Sequence, residues 1–322
     1  MSRESAEAQA RAEAGQRVLI IKLSALGDFI HAFHAFAAIR ARHAKAHISL
    51  LTTPAFADLA AASPWFDAVE IDPRAPWWDF AAQAALRPKL QGFDLVYDLQ
   101  TSSRSARYFR LAGRPAWSGI AKGARFPHRN PARDHIHTLE RQRDQLRVAG
   151  VTAFPTPDRQ WLISRGETHG VTPPFAMFVI GGAGKGNPKR WPSDHYLELA
   201  RRFVARGVRP VLIGAQLELD IAGKIEAAVP GVVNLAGKTS LADLARLGSE
   251  TALALGNDSG PLQLAASVGA PTLALFSHHT RPAEVAPRGP NGEWAEVLRE
   301  PDLAMLSVDR VADKAFAMMG RA

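Results

Sequence analysis

Residues 18–31 read VLIIKLSALGDFIH, and this stretch decides the fold. Four apolar residues followed by a polar turn predict a short strand that is buried on both faces. The turn contains Gly27, and a run with helical spacing follows from Phe29. A buried strand that leads directly into a helix is typical of a parallel α/β sheet. Asp28 therefore stands where the helix begins, and it either caps this helix or accepts a proton from a substrate.

The alternation of strands and helices continues along the chain. This pattern predicts parallel sheets connected by right-handed crossovers. The predicted strands cover residues 18–22, 47–52, 68–71, 94–98, 175–180, 209–213, 232–235, 251–255 and 272–276. The predicted helices cover residues 29–43, 54–62, 79–90, 193–206, 217–228, 241–249 and 261–268, with a terminal helix from about residue 308.

A stretch rich in Pro and Thr, residues 151–174, divides the chain into two such series. We therefore expect an α/β protein with two Rossmann-like domains whose parallel sheets face a central cleft. The predicted parts are a flexible tail at 1–16, an N-terminal domain at 17–165, a C-terminal domain at 166–307, and a helix at 308–322 that packs back toward the N-terminal domain.

The composition of the 322 residues excludes several classes of protein. The sequence contains no cysteine, which excludes disulfides, thiolate metal sites and cysteine nucleophiles. No apolar run reaches the roughly 18–20 residues that span a bilayer, and residues 1–16 lack the apolar centre of a signal peptide. These features indicate a cytoplasmic protein.

The net charge of +8 is concentrated in one segment. Residues 101–150 carry eleven Lys/Arg against three Asp/Glu, a local excess of +8. The excess indicates either a surface for an anionic partner or a solvated helix face with its adjoining loop. Nucleic acid is the weaker partner, because no nucleic-acid-binding motif accompanies the charge.

Three loops of the second half combine residues suited to a nucleotide. Residues 181–192 read GGAGKGNPKRWP, where glycines permit close approach of a diphosphate and three cations can neutralise it. Glu218 starts a helix, and it either accepts hydrogen bonds from a ribose diol or is a surface residue favoured by the helix dipole. Residues 257–261 read NDSGP, which either caps a helix or binds phosphate at its N-terminus.

Other nucleotide-dependent enzymes are disfavoured. The glycine fingerprint of NAD-binding domains is missing after the first strand. Residues 237–239 read GKT, but Gly231 is one residue too far upstream for a phosphate-binding Walker A loop. His278 and His279 are adjacent, yet no metal-binding pattern surrounds them, so we expect no metal.

Five segments, in this order, resemble glycosyltransferase family 9, the lipopolysaccharide heptosyltransferases. The resemblance spans roughly residues 17–290. It implies the two-domain GT-B fold, with an acceptor-binding domain at 17–165 and a donor-binding domain at 166–307. It also implies an inverting, metal-independent transfer of heptose from ADP-heptose, or a related nucleotide sugar, to a lipopolysaccharide inner-core acceptor. The nucleotide sugar is then a substrate, and no cofactor is needed. The segments are residues 22–31 (KLSALGDFIH), 189–192 (KRWP), 214–218 (GAQLE), 234–241 (NLAGKTSL) and 256–262 (GNDSGPL).

The resemblance also implies roles for single residues. Asp28 resembles the base that deprotonates the acceptor hydroxyl, and Lys189 the cation that stabilises the departing ADP. Glu218 is similar to the ribose ligand and Asp258 to the acid that holds the sugar hydroxyls. The implied donor-binding residues are Gly184, Lys185, Lys189, Glu218, Asp258, Ser259, Gly260 and Gln263.

The basic segment suits an anionic acceptor, such as Kdo-lipid A or a phosphorylated core, at the cytoplasmic face of the inner membrane. A peripheral contact with that membrane follows from this assignment. The expected acceptor-binding residues are Ser24, Gly27, Arg104, Lys122, Arg125, Arg129 and Arg133.

The chain departs from the family pattern at three places. Gln263 stands where the family usually has His, residues 276–280 read FSHHT where it usually has FGPT, and residues 184–185 replace hydroxyl side chains. These departures leave open another sugar donor, or a nucleotide-sugar-binding protein that lacks activity. An NAD- or ATP-dependent enzyme is the third and least favoured hypothesis.

Overall fold

The computed structural model describes residues 15–182 and 190–320. The chain divides into two compact units between Pro157 and Asp158. Each unit contains a sheet of six parallel strands with helices packed on it. The predicted α/β fold class is therefore confirmed. Most of the expected tail, and the predicted phosphate loop with Gly184, Lys185 and Lys189, lie outside the described residues.

The first unit is built on six short parallel strands. They are β1 (Arg17–Ile21), β2 (His47–Thr52), β3 (Ala68–Ile71), β4 (Leu95–Asp98), β5 (Ala116–Gly119) and β6 (Phe126–Pro127). Its described helices are α1 (Leu26–His31), α2 (Phe33–Arg42), α3 (Pro54–Ala61), α4 (Phe80–Leu90), α5 (Ser103–Leu111) and α6 (Thr138–Val148). The strand order β3-β2-β1-β4-β5-β6 reverses between β1 and β4. Ligands of such sheets bind at the carboxyl ends of the strands at this reversal.

The second unit repeats the arrangement. Its strands are β7 (Phe175–Val179), β8 (Arg209–Ile213), β9 (Val233–Asn234), β10 (Leu253–Asn257), β11 (Thr272–Ser277) and β12 (Glu296–Glu300). Its described helices are α7 (Gln160–Ile163), α8 (Ser193–Ala205), α9 (Leu219–Ala228), α10 (Leu241–Glu250), α11 (Gly260–Ser267), α12 (Pro282–Val285) and α13 (Val308–Met319). The order β12-β11-β10-β7-β8-β9 reverses between β7 and β10.

A cluster of aromatic rings holds α1 and α2 on the first sheet. The ring of Phe29 stacks on that of Phe56, with centroids 4.8 Å apart, and Phe33 packs on Trp65 at 4.9 Å. Rings buried in this way contribute strongly to the core, so the position of α1 is well fixed. The helix predicted over 29–43 is in fact two helices, because the chain turns at Ala32.

The boundary between the units lies before the predicted one at 165/166. The short helix α7 packs on α10 of the second unit. Just after it, the backbone N–H of Glu167 donates to the Asp243 carboxylate at 2.8 Å. Gly166 packs so closely on α10 that a Cβ atom there would lie 2.8 Å from the Cβ of Arg246. These contacts explain why residues 158–165 belong to the second unit.

The C-terminal helix α13 packs on α8. Its buried residues Val311, Ala312 and Ala315 belong to the hydrophobic core of the second unit. The apolar face of this helix is therefore used within the second unit, and the expected packing toward the N-terminal domain stays a prediction. Across the described ranges, no helix combines the length and the hydropathy needed to cross a bilayer.

Candidate active site

The loop between β1 and α1 is held by residues that follow two neighbouring strands. The side-chain oxygen Oε1 of Gln100, just after β4, accepts hydrogen bonds from the backbone N–H groups of Leu23 (2.9 Å) and Ser24 (3.2 Å). On the other side, Oγ1 of Thr53, just after β2, donates to the carbonyl oxygen of Leu23 at 3.0 Å. The loop is therefore fixed where the strand order of the first sheet reverses.

Asp28 lies in the first turn of α1 and does not cap the helix. The cap residue is Ala25, and no side chain closes this end of the helix. Asp28 is half-buried, whereas the next two residues, Phe29 and Ile30, are buried and fix the turn. Within the described ranges, no group donates a hydrogen bond to the Asp28 carboxylate. Of the two roles that the sequence left open, the structure excludes capping, and proton acceptance stays a prediction.

Two buried charged side chains, Lys22 and Asp98, lie at the ends of β1 and β4. Burial lowers the pKa of the Lys22 ammonium, and the negative charge of Asp28 opposes this shift. Burial raises the pKa of the Asp98 carboxyl to about 6, although the N–H groups of Thr101 and Gln100 donate to it. A small charged network therefore underlies the loop that carries Asp28.

The segment after β6 reaches the same edge of the sheet. His137, the cap residue of α6, packs edge-on against His31 of α1, with ring centroids 4.8 Å apart. Arg129 and Arg133 lie in the segment that leads to His137; the first is exposed and the second half-buried. Two of the predicted acceptor-binding residues therefore lie on a segment that contacts the helix of Asp28.

Arg104 holds a neighbouring loop in place. Its guanidinium donates to the carbonyl oxygens of Ala75 (3.0 Å) and Arg74 (3.3 Å). Arg74 in turn donates to the hydroxyl of Ser24 at 3.4 Å. The structure thus connects Arg104 to the predicted acceptor residue Ser24 through this loop, while Gly27 lies in the first turn of α1.

Lys122 and Arg125 lie at the other edge of the first sheet. With two further arginines they line a cavity of about 500 Å³ next to Ala116, where β5 begins. Asp28 follows the carboxyl end of a parallel strand, so this cavity is on the opposite edge from it. The structure therefore separates these two cations from Asp28, and their expected contact with the acceptor stays a prediction. Lys122 and Arg125 lie in the short connection that returns from the end of β5 to the start of β6, a strand that pairs with β5 in parallel.

In the second unit, Asn257 joins the strands between which the order reverses. Its buried amide nitrogen Nδ2 donates to the carbonyl oxygens of Ile180 and Gly181, both at 3.3 Å. Its oxygen Oδ1 accepts a hydrogen bond from the backbone N–H of Trp191 at 2.8 Å. One side chain thus holds the chain on both sides of residues 183–189, which contain the predicted phosphate-binding residues.

Glu218 lies beside the same two flanks. Its side chain is buried; Oε2 accepts a hydrogen bond from the backbone N–H of Ala215 at 2.8 Å, and Oε1 accepts one from Arg190. The close approach requires glycine at position 214, since a Cβ atom there would lie 2.7 Å from the Cβ of Glu218. A bound ribose would have to share this carboxylate with Arg190.

The helix α11 begins without a side-chain cap. Ser259 is the cap residue by position, but its hydroxyl is buried and has no hydrogen-bond partner among the residues described. Gly260 and Pro261 form the first helical turn, as predicted for Pro261. An uncapped helix N-terminus preceded by the half-buried Asp258 presents N–H groups to an anion.

Gln263 is buried and takes part in holding a loop. Its amide nitrogen Nε2 donates to the carbonyl oxygen of Val285, at the end of α12, at 2.7 Å. The structure therefore gives Nε2 a partner within the protein, whereas the buried Oε1 has none among the described residues, and the donor contact stays a prediction. His278 and His279 are exposed after β11. Over residues 15–182 and 190–320, no group of three or more His, Asp or Glu side chains is placed to hold a metal ion.

The chain is similar to several known proteins. Residues 84–309 match the sequence profile of Glycosyltransferase family 9 (heptosyltransferase). Lipopolysaccharide heptosyltransferase 2 of Escherichia coli strain K12 is 27% identical over 289 residues, which cover 81% of this chain and 82% of that protein. Lipopolysaccharide heptosyltransferase 1 of Pseudomonas aeruginosa is 27% identical over 283 residues, covering 81% and 78%. The structure of the E. coli heptosyltransferase WaaC with ADP-2-deoxy-2-fluoro heptose superimposes with a TM-score of 0.76 at 22% identity, over 94% of this chain and 99% of that chain.

Two six-stranded parallel sheets that superimpose on this heptosyltransferase structure define the GT-B fold. The chain belongs to glycosyltransferase family 9, the heptosyltransferase family. The family indicated by the five sequence segments is thus confirmed.

Sequence reasoning assigned no individual role to several residues that hold the loops of the two candidate sites. They share one signal, a polar side chain at or within two residues of the carboxyl end of a buried strand. That signal is visible in the sequence once the strands are placed. The residues are Lys22, Asp98, Gln100 and Asn257.

Proposed function

We propose that this protein transfers heptose from ADP-heptose, or a closely related nucleotide sugar, to an inner-core acceptor of lipopolysaccharide. Family membership supports the reaction class, and the names of the relatives, lipopolysaccharide heptosyltransferases 1 and 2, support the sugar and the acceptor. One observation supports the mechanism most directly. The carboxylate of Asp28 lies where the strand order of the first sheet reverses, and it does not cap the helix.

In the proposed reaction, Asp28 accepts the proton of the acceptor hydroxyl. The hydroxyl oxygen forms a bond to the anomeric carbon from the face opposite the leaving group. The bond between that carbon and the β-phosphate oxygen breaks, and ADP departs with the electron pair. The configuration at the anomeric carbon is therefore inverted.

The second unit is proposed to hold the donor. Glu218 binds the ribose, and Asp258 binds hydroxyls of the sugar. The unpartnered hydroxyl of Ser259 and the N-terminus of α11 at Gly260 bind the diphosphate. Lys189 and Lys185 neutralise the departing ADP and Gly184 permits its close approach, so that no metal ion is required.

The proposed acceptor carries negative charge, such as Kdo-lipid A or a phosphorylated core. Arg129 and Arg133 are the cations best placed for it, since their segment contacts the helix of Asp28 through His137. Because such an acceptor is a membrane lipid, the protein would work in the cytoplasm at the inner face of that membrane.

The deciding experiment compares Asp28→Asn with the wild-type enzyme in transfer from ADP-heptose to a deacylated Kdo acceptor, with the product detected by mass spectrometry. Loss of the base lowers the turnover rate by about 100-fold to 10,000-fold. The melting-temperature rise caused by ADP stays unchanged, because the variant keeps its donor site. The matched control is Asp58→Asn, an exposed aspartate on α3 of the same unit, which keeps full activity.

Near wild-type turnover of Asp28→Asn would show that the base is another group. Loss of transfer on treatment with a chelator would contradict the metal-independent mechanism. If the wild-type chain bound ADP yet formed no product with any core acceptor, the alternative of a nucleotide-sugar-binding protein without activity would replace this proposal.

A further inference from the structure

Three large aromatic side chains are exposed on one loop of the first unit. Trp77, Trp78 and Phe80 are 64%, 62% and 79% exposed and lie in residues 73–80 (PRAPWWDF), which lead from β3 to the first residue of α4. The two indole rings contact each other edge-on, with centroids 5.7 Å apart. Contiguous exposed apolar surface of this kind marks a binding surface more often than scattered single residues do.

The loop that carries these rings is tied down at its base. The buried Asp72 accepts hydrogen bonds from the hydroxyl of Tyr108 at 2.6 Å and from the backbone N–H of Arg74 at 2.7 Å. Arg104 donates to the carbonyl oxygen of Ala75. At the other end, Asp79 caps α4 by accepting from the N–H of Ala82 at 2.9 Å. The rings are exposed because the loop is held in a conformation that presents them to solvent.

Positive charge adjoins the rings. A cavity of about 220 Å³ is lined by Trp77 together with Arg104 and Arg107, and none of its lining residues is acidic. Arg107 is exposed on α5, whose residues 103–111 contain three arginines and no acid. Within residues 73–80 the single acid is Asp79, and it is engaged as a helix cap.

We propose that this aromatic–arginine surface (Trp77, Trp78, Phe80, Arg104 and Arg107) docks the protein on an anionic lipid bilayer. Tryptophan rings prefer the interfacial zone of a membrane, because one part of the indole is apolar while its N–H can remain hydrated. Arginines beside them are attracted by anionic headgroups, and the two contributions add. Charge complementarity is what favours a lipid surface over an uncharged apolar partner.

The position of this surface fits the acceptor proposed above, although the docking itself does not require transfer. Arg74, in the same loop, donates to the hydroxyl of Ser24 in the segment that precedes Asp28. A membrane bound at the aromatic–arginine surface would therefore lie near the edge of the sheet where a lipid-linked acceptor is needed.

The test is co-sedimentation of the full-length protein with vesicles that contain no lipopolysaccharide. The vesicles are made of phosphatidylcholine alone, or of phosphatidylcholine mixed with phosphatidylglycerol. We expect binding to the anionic vesicles that weakens at high salt, and quenching of tryptophan fluorescence by brominated lipid. The double variant Trp77→Ser/Trp78→Ser binds at least about tenfold more weakly, and Arg107→Gln loses part of the salt-dependent binding.

The matched control is Trp294→Ser, which removes a tryptophan that is 53% exposed in the second unit and leaves vesicle binding unchanged. Equal binding of the double variant and the wild type would overturn the proposal, as would binding that ignores the lipid charge or no vesicle binding at all. A concentration-dependent dimer that the double variant abolishes would assign the surface to a second copy of the chain instead. Transfer to a deacylated acceptor is retained by the double variant, which separates failure of docking from failure of the proposed reaction.

Discussion

The side chain of Asn257 accepts a hydrogen bond from the backbone N–H of Trp191 at 2.8 Å, across 66 positions of the chain. The same side chain donates to the carbonyl oxygens of Ile180 and Gly181. A fully buried amide that satisfies three backbone groups fixes their positions more strictly than apolar packing does. In the first unit, Gln100 holds the loop after β1 in the corresponding place.

Asn257→Ala should weaken both folding and nucleotide binding. The substitution leaves three buried backbone groups without their partner, which costs about 2–4 kcal/mol of unfolding free energy. Denaturant unfolding measures that loss, and the melting-temperature rise with ADP measures binding. The control is Asn234→Ala, a less buried asparagine at the end of β9, which should leave the ADP-induced rise as it is in the wild type. If ADP raised the melting temperature of Asn257→Ala as much as that of the wild type, nucleotide binding would not depend on this side chain.

The two glycines Gly256 and Gly223 should respond to alanine in opposite ways. A Cβ atom at Gly256 in β10 would clash with the carbonyl oxygen of Val179 and lie 2.8 Å from its Cβ, so the neighbouring strand would have to shift. We expect Gly256→Ala to lower the unfolding free energy by about 2 kcal/mol or more. Gly223 lies inside α9 with nothing within 4 Å of the added atom, and alanine there should stabilise by about 0.5–1 kcal/mol. Similar effects of the two substitutions in denaturant unfolding would contradict this packing.

Asp98 should make stability depend on pH. Its pKa in the folded protein is about 6, above the ordinary value of 3.8, because burial disfavours the charged carboxylate. Between these pH values the folded state binds more protons at this site than the unfolded chain does, so stability falls as pH rises. The loss of unfolding free energy caused by the buried Asp98 carboxylate is complete above about pH 6. It is relieved as the pH falls toward 3.8, because the carboxyl then binds a proton. The size of this loss is on the order of 3 kcal/mol.

Asp98→Asn removes this titration. The unfolding free energy of the variant relative to the wild type should therefore increase between about pH 4 and pH 7, as followed by denaturant unfolding at several pH values. Asp313→Asn removes one exposed carboxylate from α13 and is the control for charge alone. A difference between Asp98→Asn and the wild type that does not vary with pH would refute the raised pKa.

The pair of Arg190 and Glu218 should behave as a unit. Arg190→Met leaves the buried carboxylate of Glu218 without its cation, so we expect a loss of about 3 kcal/mol in unfolding free energy. The double variant Arg190→Met/Glu218→Gln removes that unbalanced charge, while the amide oxygen can still accept from Ala215, and it should recover part of the loss. If Glu218 binds the ribose, the double variant will regain stability but not affinity for ADP, as measured by calorimetry. Additive effects of the two substitutions on stability would rule out the ion pair.

The sequence was sufficient for the architecture and the family. Buried strands and amphipathic helices are set by periods of two and 3.6 residues that are read locally, so both parallel sheets and the position of Asp28 after β1 were predictable. The strands β5, β6 and β12 were not, because they are short and contain Gly, Pro or charged residues in place of an apolar run. Helices α5 and α6 lie in the basic segment, whose charge masks their apolar faces.

Only the tertiary structure decided which side chains meet. The basic segment looked like one surface, yet the fold sends Arg129 and Arg133 to one edge of the sheet and Lys122 and Arg125 to the other. The amide nitrogen of Gln263 likewise bonds to Val285, 22 positions away in the chain. Partners such as these come from segments that are distant in sequence. The periods of two and 3.6 residues describe only neighbouring positions and therefore do not predict such pairs. The sequence by itself determined the elements and their order, whereas the partners of each polar side chain were fixed by how the strands are arranged in the sheets.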